Sequence, residues 1–162
     1  MTPTERIIAQ IAGAPALLSE LLASVPPADL KRRPQPAKWS AHEHFCHLAL
    51  MEPVWPARLR RILTEDRPTI VSYEPDDEPA NRLLEMDLHA TLVSFGQTRQ
   101  EFVARLQQLP AEAWLRPAVH TAHARYSLYL MCRHMALHDG FHAYRIEESA
   151  LGSYWPEERA RA

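Results

Sequence analysis

Two histidines occupy positions on the last predicted helix where apolar side chains would be expected. The stripe of that helix alternates spacings of three and four residues, and its members are Leu128, Met131, Met135, His138, His142 and Ile146. Residues four apart on a helix share a face, so the imidazoles of His138 and His142 can converge on one metal ion. A buried imidazole without partners costs about 1 to 3 kcal/mol, so each ring needs a hydrogen bond or a metal.

The same helix offers a second pairing. His134 lies one turn before His138, so these two could form the pair instead. His134 and His142 are two turns apart, roughly 12 Å, and cannot readily share an ion. Because His134 lies toward the edge of the apolar stripe, the pattern favours His138 with His142.

A third ligand would strengthen this weak two-residue signal, and the second predicted helix can supply one. His42, His44 and His47 all lie close to its start. His47 is one turn before Met51 on the flank of the apolar stripe, which makes it the first candidate, with His44 as the alternative. The remaining histidines are expected to be exposed: His89, His120 and His123.

Four amphipathic helices are predicted to position these residues. Thr2 and Glu5 form a capping box that starts the first helix, which ends at Pro26 and Pro27. Its stripe consists of Ile7, Ile11, Ala14, Leu18, Leu22 and Val25. The second helix starts near Ala41, and its stripe extends to Ile62 through Phe45, Leu48, Met51, Trp55 and Leu59.

Two prolines interrupt the second helix. Pro53 and Pro56 are expected to kink or briefly break it, because proline offers no amide hydrogen. Ser40 and Glu43 form the capping box at its start, so capping is the first role expected of Glu43 and general-base catalysis the second.

The third helix is predicted from Leu84 to Leu109, with Arg99 at a stripe position from which it is expected to reach solvent. The fourth is predicted from about Ser127 to Ser149. Residues 67–79 and 110–125 are expected to be irregular connections. This pattern, without strand-like alternation, predicts an all-α four-helix bundle as one domain over residues 1–162.

Composition limits the possible functions. The 162 residues include only 4 glycines, which disfavours a fold with many turns, and a net charge of −2 gives no basic face for nucleic acid. No apolar run long enough to span a membrane and no signal peptide is evident, so the cytoplasm is the expected location. Cys46 and Cys132 are expected to be buried free thiols in that reducing compartment.

Two motifs resemble those of the DinB/YfiT-like superfamily. Residues 39–48 read Trp-Ser-Ala-His-Glu-His-Phe-Cys-His-Leu, similar to the family's tryptophan-serine start followed by a glutamate and a metal-binding histidine. Residues 138–146 begin with the His-x-x-x-His of the family's last helix. The sequence departs from the family in Pro53 and Pro56 and in Tyr144-Arg145, where Gly-Gln is frequent, and these changes affect the shape of the pocket.

The resemblance implies a four-helix bundle in up-down-down-up order, often a homodimer. It also implies that His47, His138 and His142 hold one divalent metal ion, with zinc or nickel expected. Near them, Trp39 is expected to be a structural plug. Asp139 could orient a ligand histidine, but adjacent helix residues diverge by 100°, so it is expected to be exposed.

Three imidazoles around a divalent ion leave a coordination position open, which is typical of catalytic sites. The first functional hypothesis is a metal-dependent thiol S-transferase in detoxification or stress response, because the resembling family includes thiol-dependent enzymes. One alternative is a hydrolase of small esters, amides or lactones. Another is a stress protein that binds a metal or ligand without catalysis. The expected partners are a small-molecule substrate or a thiol cofactor, and neither nucleic acid nor a membrane.

Overall fold

The computed structural model describes residues 1–73 and 81–152. Helices form most of these residues: α1 Pro3–Ser24, α2 Ala41–Met51, α3 Val54–Thr64, α4 Arg82–Glu85, α5 Leu88–Gln107 and α6 Leu128–Ala150. A 3₁₀ turn, Ala111–Leu115, and three short strands complete the description: β1 Thr69–Ile70, β2 Pro117–His120 and β3 His123–Ser127.

The predicted four-helix bundle is confirmed. Helix α6 packs against α1 and α2, and α1 also packs against α5. The helices follow the expected up-down-down-up order. The ends of α2 and α6 therefore lie side by side, although about 90 residues of sequence separate their histidines.

The first helix begins and ends as predicted. The side chain of Thr2 accepts a hydrogen bond from the Glu5 amide, Glu5 returns one to the Thr2 amide, and the helix stops before Pro26. Every residue of the predicted stripe is buried. Burial of this stripe against α5 and α6 is what stabilises the helix.

Helix α1 is also, by length and composition, apolar enough to cross a membrane. The expectation that no segment of the sequence reaches that limit is wrong on this measure. A helix that contributes to the core of a soluble protein passes the same test, and the stripe of α1 is part of such a core. The cytoplasmic location stays a prediction.

The predicted interruption of the second helix is confirmed as a complete break. Helix α2 ends at Met51, Glu52 is its C-terminal cap, and α3 starts after Pro53. Pro56 lies in the first turn of α3, where a missing amide hydrogen is tolerated. After the break, the ring of Trp55 in α3 lies 6.3 Å from the ring of His134 in α6.

The third predicted helix is divided too, which the sequence analysis missed. A short turn, α4, precedes Asp87, whose side chain accepts a hydrogen bond from the Ala90 amide at 2.7 Å and caps α5. The helix therefore restarts at Leu88 and does not continue from Leu84.

A small sheet replaces part of the predicted irregular connections. Strand β1 pairs in parallel with β2, and β2 pairs antiparallel with β3 through the turn at Thr121 and Ala122. Residues 74–79 of the first predicted connection lie outside the described residues. The sheet covers one side of the bundle, at the end of α6 that precedes His138.

A polar layer divides the apolar core into two parts. Arg99 is only 1% exposed, and its guanidinium bonds to Glu52 at 2.6 Å and to Asp139 at 2.5 Å. The expectations that Arg99 reaches solvent and that Asp139 is exposed are both wrong. A charge so deeply buried needs opposite charges and hydrogen bonds, which these two carboxylates provide.

Candidate metal centre

Helix α2 positions the first histidine of the site. Ser40 caps the helix by accepting from the Glu43 amide, and Glu43 accepts from the Ser40 amide at 2.9 Å, so the predicted capping box is confirmed. One face of the helix carries Phe45 and Leu48 into the core. His47 lies on the flank of that face and is itself buried.

Helix α6 positions the other two histidines. Ser127 caps it by accepting from the Leu130 amide, close to the predicted start. Four residues separate His138 from His142, so both rings turn toward α2. His142 is buried, and His138 is half-buried.

The three imidazoles converge through their Nε2 atoms. The Nε2 atom of His138 lies 3.3 Å from that of His47 and 3.2 Å from that of His142. Two nitrogen ligands at about 2.0 to 2.1 Å from a tetrahedral ion would be about 3.3 Å apart. Within the described residues, these three are the one cluster of histidine, cysteine and carboxylate groups whose ligand atoms all lie within 4.8 Å of one another.

The rings of His138 and His142 are neutral at neutral pH, as metal ligands must be. Burial, with the neighbouring His47 and His134, lowers the pKa of His138 to about 4. Burial, with His138 and His44, lowers the pKa of His142 to about 2. Three imidazoles with convergent nitrogens form a donor set that suits a divalent ion such as zinc, nickel, copper or iron.

Further side chains surround the three histidines, which we call the triad. Nδ1 of His44 lies 2.9 Å from Nδ1 of His142, so His44 contacts the triad. The ring of Trp39 stacks on His142 and packs against His47, with centroids 6.0 and 4.9 Å away, as expected of a structural plug. Among the described residues, Nδ1 of His138 has no hydrogen-bond partner.

The nearby carboxylates are already engaged. Glu43 accepts hydrogen bonds from Ser40 and from the guanidinium of Arg33, with Nε of Arg33 at 2.9 Å. Burial alone would raise the pKa of Glu43, but these hydrogen bonds outweigh it and lower the pKa. Asp139 points away from the triad to Arg99. Glu43 is therefore a capping and ion-pairing residue and a poor general base.

The remaining histidines lie outside the triad. Nε2 of His42 donates to the Leu83 carbonyl at 2.9 Å, on the far side of α2. His134 faces Trp55 and His123, with ring centroids 6.3 and 5.3 Å away. His89 is exposed, as expected.

His120 differs from its prediction. His123 is exposed as expected, but His120 is only 7% exposed because β2 turns it inward against Tyr126. A strand of four residues leaves almost no periodic signal in the sequence. The alternation of exposed and buried residues in β2 is the one pattern that could have revealed it.

The chain is similar to known proteins in sequence and in fold. The sequence pattern of the DinB superfamily matches residues 10–146. Among solved structures, the fold is similar to YfiT from Bacillus subtilis, described as a probable metal-dependent hydrolase with an unusual four-helix bundle topology. The TM-score is 0.83 at 19% identity, over 94% of this chain and 88% of that one. No curated protein matches the sequence.

Proposed function

We propose that this chain, which belongs to the DinB superfamily, is a metal-dependent enzyme that acts on a small molecule. In this proposal His47, His138 and His142 hold one divalent ion, with zinc or nickel expected. The observation that carries it is the convergence of three imidazole nitrogens at the spacing of a tetrahedral site. Three protein ligands leave at least one coordination position for a substrate.

The residues of the site divide the tasks. The triad supplies a nitrogen lone pair from each ring. His44 can accept a hydrogen bond from Nδ1–H of His142 and so fix which nitrogen of that ring carries the proton. Trp39 covers the rings of His47 and His142 and keeps water from that side. A divalent ion bound there supplies a Lewis acid that lowers the pKa of a coordinated thiol or water.

Thiol S-transfer is the chemistry that we propose first, with a role in detoxification or stress response. A thiol activated at a metal needs no separate base. Among the described residues, the nearby carboxylates form ion pairs elsewhere, Glu43 with Arg33 and Asp139 with Arg99. Cys46 and Cys132 do not supply the thiol, because both are fully buried. The thiol would therefore come from a small-molecule cofactor.

Hydrolysis of a small ester, amide or lactone is the second candidate. Its support is the similarity in fold to YfiT, whose description names a metal-dependent hydrolase. A protein that binds a metal or ligand without turnover is the third. The homodimer implied by the sequence resemblance remains a prediction.

One set of assays separates the three. Protein loaded with zinc or nickel is incubated with glutathione and monochlorobimane, and separately with p-nitrophenyl acetate without thiol. The transferase proposal expects metal-dependent consumption of the bimane that requires glutathione and is lost in His138→Ala. Release of nitrophenolate alone would support the hydrolase instead. No turnover over the protein-free rate, across a panel of thiols and esters, would favour the binding protein.

A further inference from the structure

A cavity of about 210 Å³ adjoins the triad and shares His47 and His138 with it. Helix α3 contributes Trp55 and Arg58 to its wall, and β2 and β3 contribute His120 and His123. Small-molecule sites commonly measure about 300 to 1,000 Å³, so this cavity suits a small ligand. Among the described residues that line it, none is an aspartate or glutamate.

Arg58 is the permanent charge in this wall. Its side chain is only 9% exposed, Nη2 donates to the Val71 carbonyl at 2.9 Å, and Cζ lies 5.5 Å from the ring centroid of Trp55. Among the described residues, no carboxylate forms an ion pair with it. Arg99 is buried still more deeply and has two carboxylate partners. A buried guanidinium without an anion is costly, which makes Arg58 a strong attachment point for a negative charge.

Two neutral donors lie beside Arg58. The amide of Ala122 donates to Nδ1 of His120 at 3.0 Å, so the neutral ring carries its proton on Nε2. Burial, with His123 and Arg58, lowers the pKa of His120 to about 4, so the ring is neutral at neutral pH. The hydroxyl of Tyr126 is buried, and the guanidinium of Arg58 lies close enough to interact with it.

We propose that this cavity is a substrate subsite for a small carboxylate, whose anionic group binds Arg58 and whose body lies on Trp55. The fork of N–H groups on a guanidinium matches the two oxygens of a carboxylate. The ring of Trp55 lies 6.3 Å from the ring of His138 as well as 5.5 Å from Cζ of Arg58, so a flat molecule on it extends from the charge to the triad. This subsite names the class of substrate for the proposed function, and it rests on that function for the reaction at the triad.

The test compares benzoate with benzamide, which have the same shape but differ in charge. Dissociation constants are measured on the full chain, both loaded with zinc and metal-free, from the shift of the Trp55 indole N–H signal in NMR spectra. We expect benzoate to bind about 10- to 100-fold more tightly than benzamide, the range of a charge-assisted hydrogen-bonded pair. Equal affinities in the parent protein would overturn the proposal before any variant is made.

Variants then identify the residue responsible. Arg58→Gln removes the charge and should abolish the preference for benzoate, Arg58→Lys should retain part of it, and Arg61→Gln, one turn away and paired with Glu65, should leave it unchanged. A preference that survives in folded Arg58→Gln only with zinc would mean that the carboxylate binds the ion, and would overturn the proposal. Because benzoate binding is also measured on metal-free protein, loss of the subsite appears as equal affinities for benzoate and benzamide. Failure of the proposed reaction appears only in the turnover assays.

Discussion

Nδ1 of His44 and Nδ1 of His142 face each other at 2.9 Å, across the contact between α2 and α6. Two such nitrogens can form a hydrogen bond only when one carries a proton and the other does not. If His142 binds a metal through Nε2, its Nδ1 carries the proton and donates to His44. His44 is the alternative ligand that the sequence offers. In the structure its contact with Nδ1 of His142 makes it a residue that orients a ligand.

Substitution of His44 should therefore weaken metal binding without removing the site. We expect His44→Ala to bind the same number of ions with 10- to 100-fold lower affinity, the usual cost of losing a group that orients a ligand histidine. Competition with a chromophoric chelator measures this affinity. Loss of all bound metal would make His44 a ligand, and an unchanged affinity would show that the contact does not matter.

Substitution of His138 should remove the ion. Its Nε2 lies within 3.3 Å of the Nε2 atoms of both His47 and His142. His138→Ala therefore removes the central ligand and leaves only two imidazoles for the ion. We expect near-stoichiometric metal in the parent and little in the variant, by plasma mass spectrometry on protein purified without chelator. His134→Ala is the matched control on the same helix and should keep its metal. Loss of the metal in both variants would favour the pairing of His134 with His138 instead.

Substitution of Arg99 should destabilise the fold strongly. In Arg99→Ala, Glu52 and Asp139 would remain buried without a cation, a change that commonly costs about 3 to 5 kcal/mol. Urea unfolding measures the loss. Arg61→Ala breaks the exposed pair with Glu65 and should change the free energy of unfolding little. A similar effect for both variants would contradict the structural role of the polar layer.

Stability of the metal-free protein should depend on pH through His120. The folded ring has a pKa of about 4, lowered chiefly by burial, whereas the unfolded chain takes up this proton near pH 6.5. The unfolded state then binds more protons between these values, so the free energy of unfolding falls as the pH falls, by up to about 1.4 kcal/mol per pH unit for this residue. Above the unfolded pKa the contribution is constant.

The measurement is urea unfolding of the parent and of His120→Gln at a series of pH values through this window, with chelator present. Other buried histidines add to the slope in both proteins, so the informative quantity is the difference between the two slopes. We expect the variant to be less sensitive to acid. Parallel profiles would mean that His120 titrates in the folded protein as it does in the unfolded chain.

The two thiols should be inert while the protein is folded. Burial raises the pKa of both Cys46 and Cys132 to about 12, so almost no thiolate exists at neutral pH, and both side chains are fully buried. We expect no reaction with Ellman's reagent in buffer and reaction of both cysteines in denaturant. Rapid labelling of the folded protein would reveal an opening of the core.

Much of this arrangement could be predicted from the sequence because it is local. The stripe of α1, the capping boxes at Thr2 and Ser40, and the break at Pro53 depend on residues within one or two helical turns. The spacing of His138 and His142 belongs to the same class of pattern. The flank position of His47 on α2 made it the first candidate for a third ligand, with His44 as the alternative, and the family resemblance then implied His47.

The errors arose where several elements meet. The prediction that Asp139 is exposed assumes that α6 has one buried face. In the structure α6 packs against both α1 and α2, and Arg99 of α5 pairs with Asp139 on a second buried face. The inward turn of His120 depends on the pairing of β2 with β1, from which Ile70 lies opposite His120 across about 50 residues of sequence. Such pairings leave no local periodicity.

The adjacent positions of His138 and Asp139 fix the rotation of α6 about its own axis. One side chain is directed to the triad and the next, turned by 100°, to the buried guanidinium of Arg99. A single residue inserted between Met135 and His138 would rotate both out of place together. The length of α6 ahead of these two residues is thus constrained as strictly as their identities, and exchange of this segment between related bundles requires that the residue count be kept.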